Sequence, residues 1–371
     1  MKRNGHHSAI AVLLLMLVPT ISSLALVPFF HLDRPQFLSA ILQPAAAAAF
    51  AFDSSDSSAR KYVLSSPPSS VRNNNIIDVV YQPLTVTVSG VQVPVAAWHP
   101  PVKEMDPKTT TSTPSSSSFM QPLESYQHRI SVQKIGKKLA GWTFIPTFVN
   151  RNFSLTPGSQ NSNIRVVSTK QQLPASAPVV ILAHGYLGSR FDLYHLAEKL
   201  ASEGFLVLSA EYPESLADSF DAIIVDSASG EVRSIIDRDM ITNQLISTLQ
   251  ETWKVTPTSF GIVGHSLGCG TAERSGDDTW SRVCLAGFPS SRGNGANCLF
   301  VGSTNDGAVS VERAMSVLRD YNYVNLEEAT IRDLASKQQL STLKLPSKAS
   351  LIFTSATAPN HISFLSEETV S

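Results

Sequence analysis

From Pro178 onward the chain alternates short runs of branched apolar residues with segments whose apolar positions recur at helical spacing. "PVVILAH" (178–184) and "FLVLSAEYP" (205–213) read as buried strands, and "FDLYHLAEKLASEG" (191–204) between them reads as a helix. "RSIIDRDMITNQLISTLQETW" (233–253) is expected as a second helix, with Ile236, Met240, Leu245, Leu249 and Trp253 within one broad face. "SFGIVG", "RVCLAGF", "NCLFVG" and "ASLIFTS" follow, each apolar enough for a central strand. Alternating βα units predict an α/β fold: a mostly parallel central sheet with helices on both faces and ligands at the carboxyl ends of its strands.

Upstream the pattern is different. "LTVTVSGVQVPVAAWHP" (84–100) alternates apolar and polar residues around Gly90, which predicts a two-stranded hairpin. "PKTTTSTPSSSS" (107–118) has nothing to bury and is expected as the centre of a disordered Ser/Thr-rich insertion at about 103–122. "HRISVQKI" (128–135) reads as strand-like, and Asn152-Phe153-Ser154 is a glycosylation sequon whose use depends on the compartment.

The first sixty residues read as an address. Lys2 and Arg3 precede the apolar run Ala9 to Val18, and Ser23 and Ala25 offer a signal-peptidase site. Pro19, Ser22 and Ser23 interrupt the run before a spanning length, so cleavage is expected over anchoring and no transmembrane helix in the mature protein. A second alanine-rich apolar stretch, Phe37 to Phe52, makes the leader resemble the bipartite presequences of algae with complex plastids. Plain secretion, with residues 26–60 as a propeptide, is the competing expectation.

Composition narrows the partners. With 43% hydrophobic residues among 371, the chain can bury a substantial core. Its 29 basic and 30 acidic residues nearly cancel, and no basic cluster alternates with aromatics, so nucleic acid is not expected to bind. The cysteines, Cys269, Cys284 and Cys298, form no pattern of a disulfide framework.

The sharpest chemical signal is "GIVGHSLGCG". Gly264-His265-Ser266-Leu267-Gly268 fits G-x-S-x-G between a predicted strand and helix, where a tight turn lifts the serine hydroxyl to the edge of the sheet. A hydroxyl needs a histidine to take its proton and an acid to orient that histidine. Asp306 ends "NCLFVGSTND", directly after a strand, whereas Asp277 and Asp278 follow the helix after Ser266 and are expected as solvated loop charges. His361, in "LIFTSATAPNHISFL", is the histidine that follows both serine and acid. His99, His128 and His195 are expected as surface or packing residues. An oxyanion would be held by the N–H after the nucleophile, on Leu267, and by that of Tyr186 in "AHGYLGS", with His184 structural. His184 lacks neighbours at usable spacing for a metal.

"PVVILAHGYLGSRFDLYHLAEKLASEGFLVLSAEYP" together with "GIVGHSLGCG" resembles the α/β-hydrolase superfamily, within it the branch of platelet-activating-factor acetylhydrolases, chlorophyllases and dienelactone-hydrolase-like enzymes. The resemblance spans roughly residues 80–365, within a single expected domain over 61–371. It implies a serine esterase or lipase-like enzyme without cofactor or metal. In it Ser266 would be nucleophile, Asp306 the orienting acid, His361 the base, and Tyr186 and Leu267 the oxyanion donors, with a small or lipid ester as substrate. A plastid leader would favour a chlorophyllase-like pigment esterase. The acid sits one strand later than in the acetylhydrolases and chlorophyllases, and Cys269 stands where glycine is common and is expected to pack. Relatives continue through a closing helix, whereas this sequence ends ten residues after His361. An inactive binding or scaffold protein is the alternative from another class.

Overall fold

The computed structural model describes residues 76–102, 121–141, 150–159, 163–168, 172–225, 232–288, 297–337, 339, 343, 345–354 and 358–365. The leader expected over residues 1–60 lies outside the described residues, as does the Ser/Thr-rich segment from 103 to 120. The last two residues assigned to that insertion, Gln121 and Pro122, instead form a short strand, because their backbone pairs with a neighbouring edge.

The hairpin predicted around Gly90 is present, longer than expected. β1 (Ile77–Val88) and β2 (Val91–His99) pair antiparallel. Their two-residue turn puts Ser89 and Gly90 at φ of +48° and +86°, the left-handed pair whose twist matches that of the strands it joins. After β3 (Gln121–Pro122), β4 (Tyr126–Ile130) and β5 (Arg151–Leu155) form a separate antiparallel pair. "HRISVQKI" is only half strand. Ser131 accepts a hydrogen bond from Lys134 N–H and starts helix α1 (Val132–Ala140), a cap that ends strand pairing at Ile130.

The βα region follows β6 (Ile164–Ser168). In order come β7 (Ser176–Ala183), α2 (Tyr194–Ser202), β8 (Leu206–Ala210), the small hairpin β9 (Ile223–Val225) and β10 (Val232–Ile235), and α3 (Arg238–Glu251). Then come β11 (Thr256–His265), α4 (Gly268–Arg274), β12 (Ser281–Leu285), β13 (Cys298–Ser303), α5 (Val311–Asp320), β14 (Val324–Leu326), α6 (Glu328–Ser336) and β15 (Lys348–Phe353). The helix expected over 233–253 is shorter because its first residues pair as β10 and Asp237 caps the helix by accepting from Met240 N–H at 2.7 Å. Its buried face is Ile241, Leu245 and Leu249, while Met240 is exposed and Ile236 is buried ahead of the helix.

The main sheet has eleven strands in the order β14-β15-β13-β12-β11-β7-β8-β2-β1-β6-β3. From β14 to β8 every pairing is parallel, and β2 joins antiparallel to β8. Alternate residues of one strand feed two cores. Val180 and Leu182 of β7 pack with α2 residues such as Leu196 and Leu200, while Val179, Ile181 and Ala183 pack with Leu245 of α3 and Ala272 of α4. His99, His128 and His195, at 0%, 6% and 6% exposure, are packing residues. Among the described residues no helix is long and apolar enough to cross a membrane.

Candidate active site

The turn between β11 and α4 is built around small residues. Ser266 sits at φ of +54°, a left-handed conformation that non-glycine residues seldom hold, and its N–H donates to Leu285 O at 2.8 Å. A Cβ on Gly264 would stand 2.2 Å from Gly268 O, and one on Gly268 would stand 2.0 Å from Ala183 O. Both glycines of G-x-S-x-G are therefore demanded by close approach of strand, turn and helix. Cys269 is buried behind the turn with its Sγ donating to Gly264 O and Leu285 O. A Cβ on Gly287 would meet that sulfur at 2.2 Å, so Cys269 fills the space a glycine leaves.

The loops after β13 and β15 reach the same edge. Asp306 Oδ1 accepts from the N–H groups of Ala308 and Val309 at 2.9 and 2.8 Å, which fixes the carboxylate from behind. His361 opens a single 3₁₀ turn, His361–Phe364, capped reciprocally by Asn360 and Ser363 and anchored by buried Phe364. Its Nδ1 donates to Asp306 at 2.9 Å to Oδ2, and its Nε2 lies 3.0 Å from Ser266 Oγ. The Asp306 side chain is 2% exposed and that of His361 is 19% exposed, so the carboxylate is sealed and the imidazole is partly open to solvent. Asp277 instead accepts from Thr279 in its own loop, beyond α4.

Two further ties hold this arrangement, neither legible in the sequence. Asn305 Nδ2 donates to Ala358 O at 3.0 Å, joining the acid's loop to the histidine's. His265 Nε2 donates to His361 O at 3.0 Å, which leaves its buried Nδ1 as a bare acceptor. Burial holds the His265 imidazole down to about 4, so it is neutral at physiological pH.

Opposite Ser266, residues 185–188 form a turn closed by Gly188 N–H on Gly185 O at 3.3 Å. A Cβ on Gly185 would lie 3.0 Å from Ser266 Cβ, so this residue lies against Ser266. Among the described residues neither Tyr186 N–H nor Leu267 N–H has a hydrogen-bond acceptor. His184 is buried and structural: Nδ1 donates to Gly185 O at 2.8 Å and Nε2 accepts from Tyr212 N–H at 3.0 Å. Burial, then the Arg238 charge, holds it down to about 4, consistent with that neutral tautomer. Beneath lies Glu211: burial alone would raise its carboxyl, but the Arg190 guanidinium at 2.5 Å holds it below the usual range. Side chains of Tyr186, Leu267, Phe288 and Ile362, adjoining these elements in the chain, are exposed. Among the described residues no three His, Cys, Asp or Glu side chains are grouped to hold a metal ion.

No family model matches the chain, and no curated protein matches it. Similar solved structures include the Pyrococcus furiosus esterase Pf2001, at 11% identity over 76% of this chain and 82% of that one, with a TM-score of 0.35. The ferulic acid esterase of Streptomyces cinnamoneus is 14% identical over 76% of this chain and 74% of that one, TM-score 0.35. A dienelactone hydrolase-like promiscuous phosphotriesterase from metagenomic libraries is 13% identical over 75% and 82%, TM-score 0.35. The parallel sheet and the sharp strand-to-helix turn at Ser266 are those of the α/β-hydrolase fold.

Proposed function

We propose that this protein is a serine hydrolase that cleaves a carboxylic ester through an acyl-enzyme. The observation that carries this reading is His361, with Nε2 at 3.0 Å from Ser266 Oγ and Nδ1 at 2.9 Å from Asp306. Nδ1 keeps its proton for the carboxylate, so Nε2 is the free base that takes the serine proton as Oγ attacks the ester carbonyl. The buried Asp306 carboxylate stabilises the resulting imidazolium. Negative charge gathering on the carbonyl oxygen is met by the N–H groups of Tyr186 and Leu267, which have no acceptor among the described residues. His361 then returns the proton to the departing alkoxide. Water, deprotonated by the same nitrogen, attacks the acyl-enzyme and restores Ser266.

The exposed apolar side chains of Tyr186, Leu267, Phe288 and Ile362 favour an ester with an uncharged, apolar part over a polar or multiply charged substrate. Hydrolysis of p-nitrophenyl esters of increasing acyl length, by the full chain and by Ser266→Ala, tests the reading. Turnover that the substitution removes supports it; a folded protein without turnover on any chain length contradicts it. We further propose, from the leader alone, entry into an endomembrane route, in a plastid or toward secretion. A full-length fluorescent fusion confined to the cytosol would contradict that.

A further inference from the structure

The peptide joining Gly185 to Tyr186 is trans, so its C=O and its N–H point in opposite directions. Whatever holds the carbonyl of Gly185 therefore aims the N–H of Tyr186. Three donors hold it: His184 Nδ1 at 2.8 Å, Gly188 N–H at 3.3 Å and Arg238 Nη2 at 3.4 Å. Arg238 also donates from Nη1 to the preceding carbonyl, His184 O, at 2.9 Å, so one guanidinium grips two consecutive carbonyls. The same Nη1 lies 3.4 Å from Thr271 Oγ1 on α4, the helix that follows Ser266.

The cation itself is built in. Arg238 is 6% exposed, its face lies over the Tyr212 ring at 4.6 Å, and Glu214 Oε2 accepts from Nε and pairs with Nη2, each at 2.9 Å. A buried guanidinium is costly unless its protons are placed, and here they are placed on the turn against Ser266, on the helix that follows it and on Glu214. A flip of the Gly185–Tyr186 peptide would turn a carbonyl toward Ser266 and leave the guanidinium and the His184 imidazole without that acceptor.

We infer that Arg238, held by Glu214, is a positioning residue that fixes the Gly185–Tyr186 peptide so that the Tyr186 N–H faces the oxyanion. The inference rests on the reading of Ser266 as the nucleophile of an ester hydrolase. The planar fork is essential to it, since an ammonium cannot span two carbonyls and a carboxylate at once. Arg238 touches no reacting atom, so its effect belongs to the transition state and not to substrate binding.

The test uses the full chain with Arg238→Lys and Glu214→Gln, read by p-nitrophenyl ester kinetics and by inhibition with a boronic acid, whose tetrahedral serine adduct places an anionic oxygen where the oxyanion forms. For Arg238→Lys, kcat falls about 10- to 100-fold with KM within about 2-fold, and boronate affinity falls by the same factor as kcat. Glu214→Gln, which keeps an oxygen for the Arg238 donors, moves both quantities the same way by a smaller factor, and decides the matter should Arg238→Lys not fold. Unchanged kcat, or a loss of kcat with boronate affinity kept, overturns the role of Arg238. Wild-type protein that neither turns over ester nor binds boronate overturns the hydrolase reading itself, and the inference with it.

Discussion

His265 Nε2 donates a 3.0 Å hydrogen bond to the backbone carbonyl of His361, so the residue before Ser266 holds the turn that carries His361. The two rings lie 5.0 Å apart between centroids. The variable position of G-x-S-x-G thus carries a specific task in this chain. His265→Phe keeps an aromatic ring but removes the donor, and the His361 turn loses one of its fixed points. The expected result is a fall in kcat of about 10-fold with little change in KM, since misplacing a base costs rate before affinity. Steady-state ester kinetics check this, and an unchanged kcat would show the tie to be dispensable.

Asp306→Asn keeps the shape of the side chain but offers an amide N–H₂ or C=O where a carboxylate stood. The N–H groups of Ala308 and Val309 hold one oxygen in place, so the amide nitrogen is left facing His361 Nδ1. That favours the tautomer with the proton on Nε2, which cannot accept from Ser266. A loss of about 10⁴ in kcat is expected, by analogy with serine proteases in which the same change has been made. Kinetics near neutral pH measure it; a loss below about 10-fold would mean that Asp306 does not orient the base.

Gly268→Ala tests the elbow mechanically. The added Cβ would stand 2.0 Å from Ala183 O and 2.9 Å from His184 O, both backbone atoms that cannot swing away. Strand β7 and helix α4 must separate, at a cost of about 3 kcal/mol or more. Thermal or denaturant unfolding checks this, and a variant as stable as the wild type would contradict the packing described here. Gly307→Ala is the control, because nothing lies within 4 Å of a Cβ there.

Buried histidines set the response to acid. Burial holds His184, His195 and His265 down to about 4, and shifts His99 and His128 the same way. An unfolded histidine titrates near 6.5, so between about pH 6.5 and 4 the unfolded chain binds protons that the native chain refuses. Stability therefore falls as pH drops through that window. Asp192 acts against this trend: burial pushes its carboxyl up to about 7, so its contribution favours the native state at low pH and is lost as pH rises from about 4 to 7. The histidines outnumber it. Denaturant titrations at pH 7 and pH 5 should show lower stability at pH 5, by about 1.4 kcal/mol per pH unit for each net proton taken up on unfolding. Equal or greater stability at pH 5 would contradict the buried neutral histidines.

The parts legible in the sequence are those whose cause is local. G-x-S-x-G specifies its own turn through Gly264, where an added Cβ would meet Gly268 and Cys269 of the same strand-turn-helix unit, whereas Gly268 is forced by Ala183 and His184 at the end of β7. That Asp306 and His361 meet Ser266 was legible because each follows a strand, and a parallel sheet gathers those strand ends at one edge. What escaped is what depends on partners far along the chain. Arg238 was one polar position in an expected helix, and its partners are the carbonyls of residues 184 and 185. His265 was a variable position, and its partner is His361. The misread start of α3 has the same origin: β10 pairs with β9, which periodicity within 233–253 cannot reveal. The strand-like reading of "HRISVQKI" failed on a local signal that was present, Ser131 as a helix cap.

We propose above all that His361 activates Ser266. Intact-mass analysis of the full chain after treatment with a fluorophosphonate, with peptide mapping and with Ser266→Ala and His361→Ala alongside, tests it most directly. The account predicts one adduct, on Ser266, formed by the wild type and by neither variant. No adduct on the folded wild type, or an adduct that persists in His361→Ala at the same rate, would contradict it.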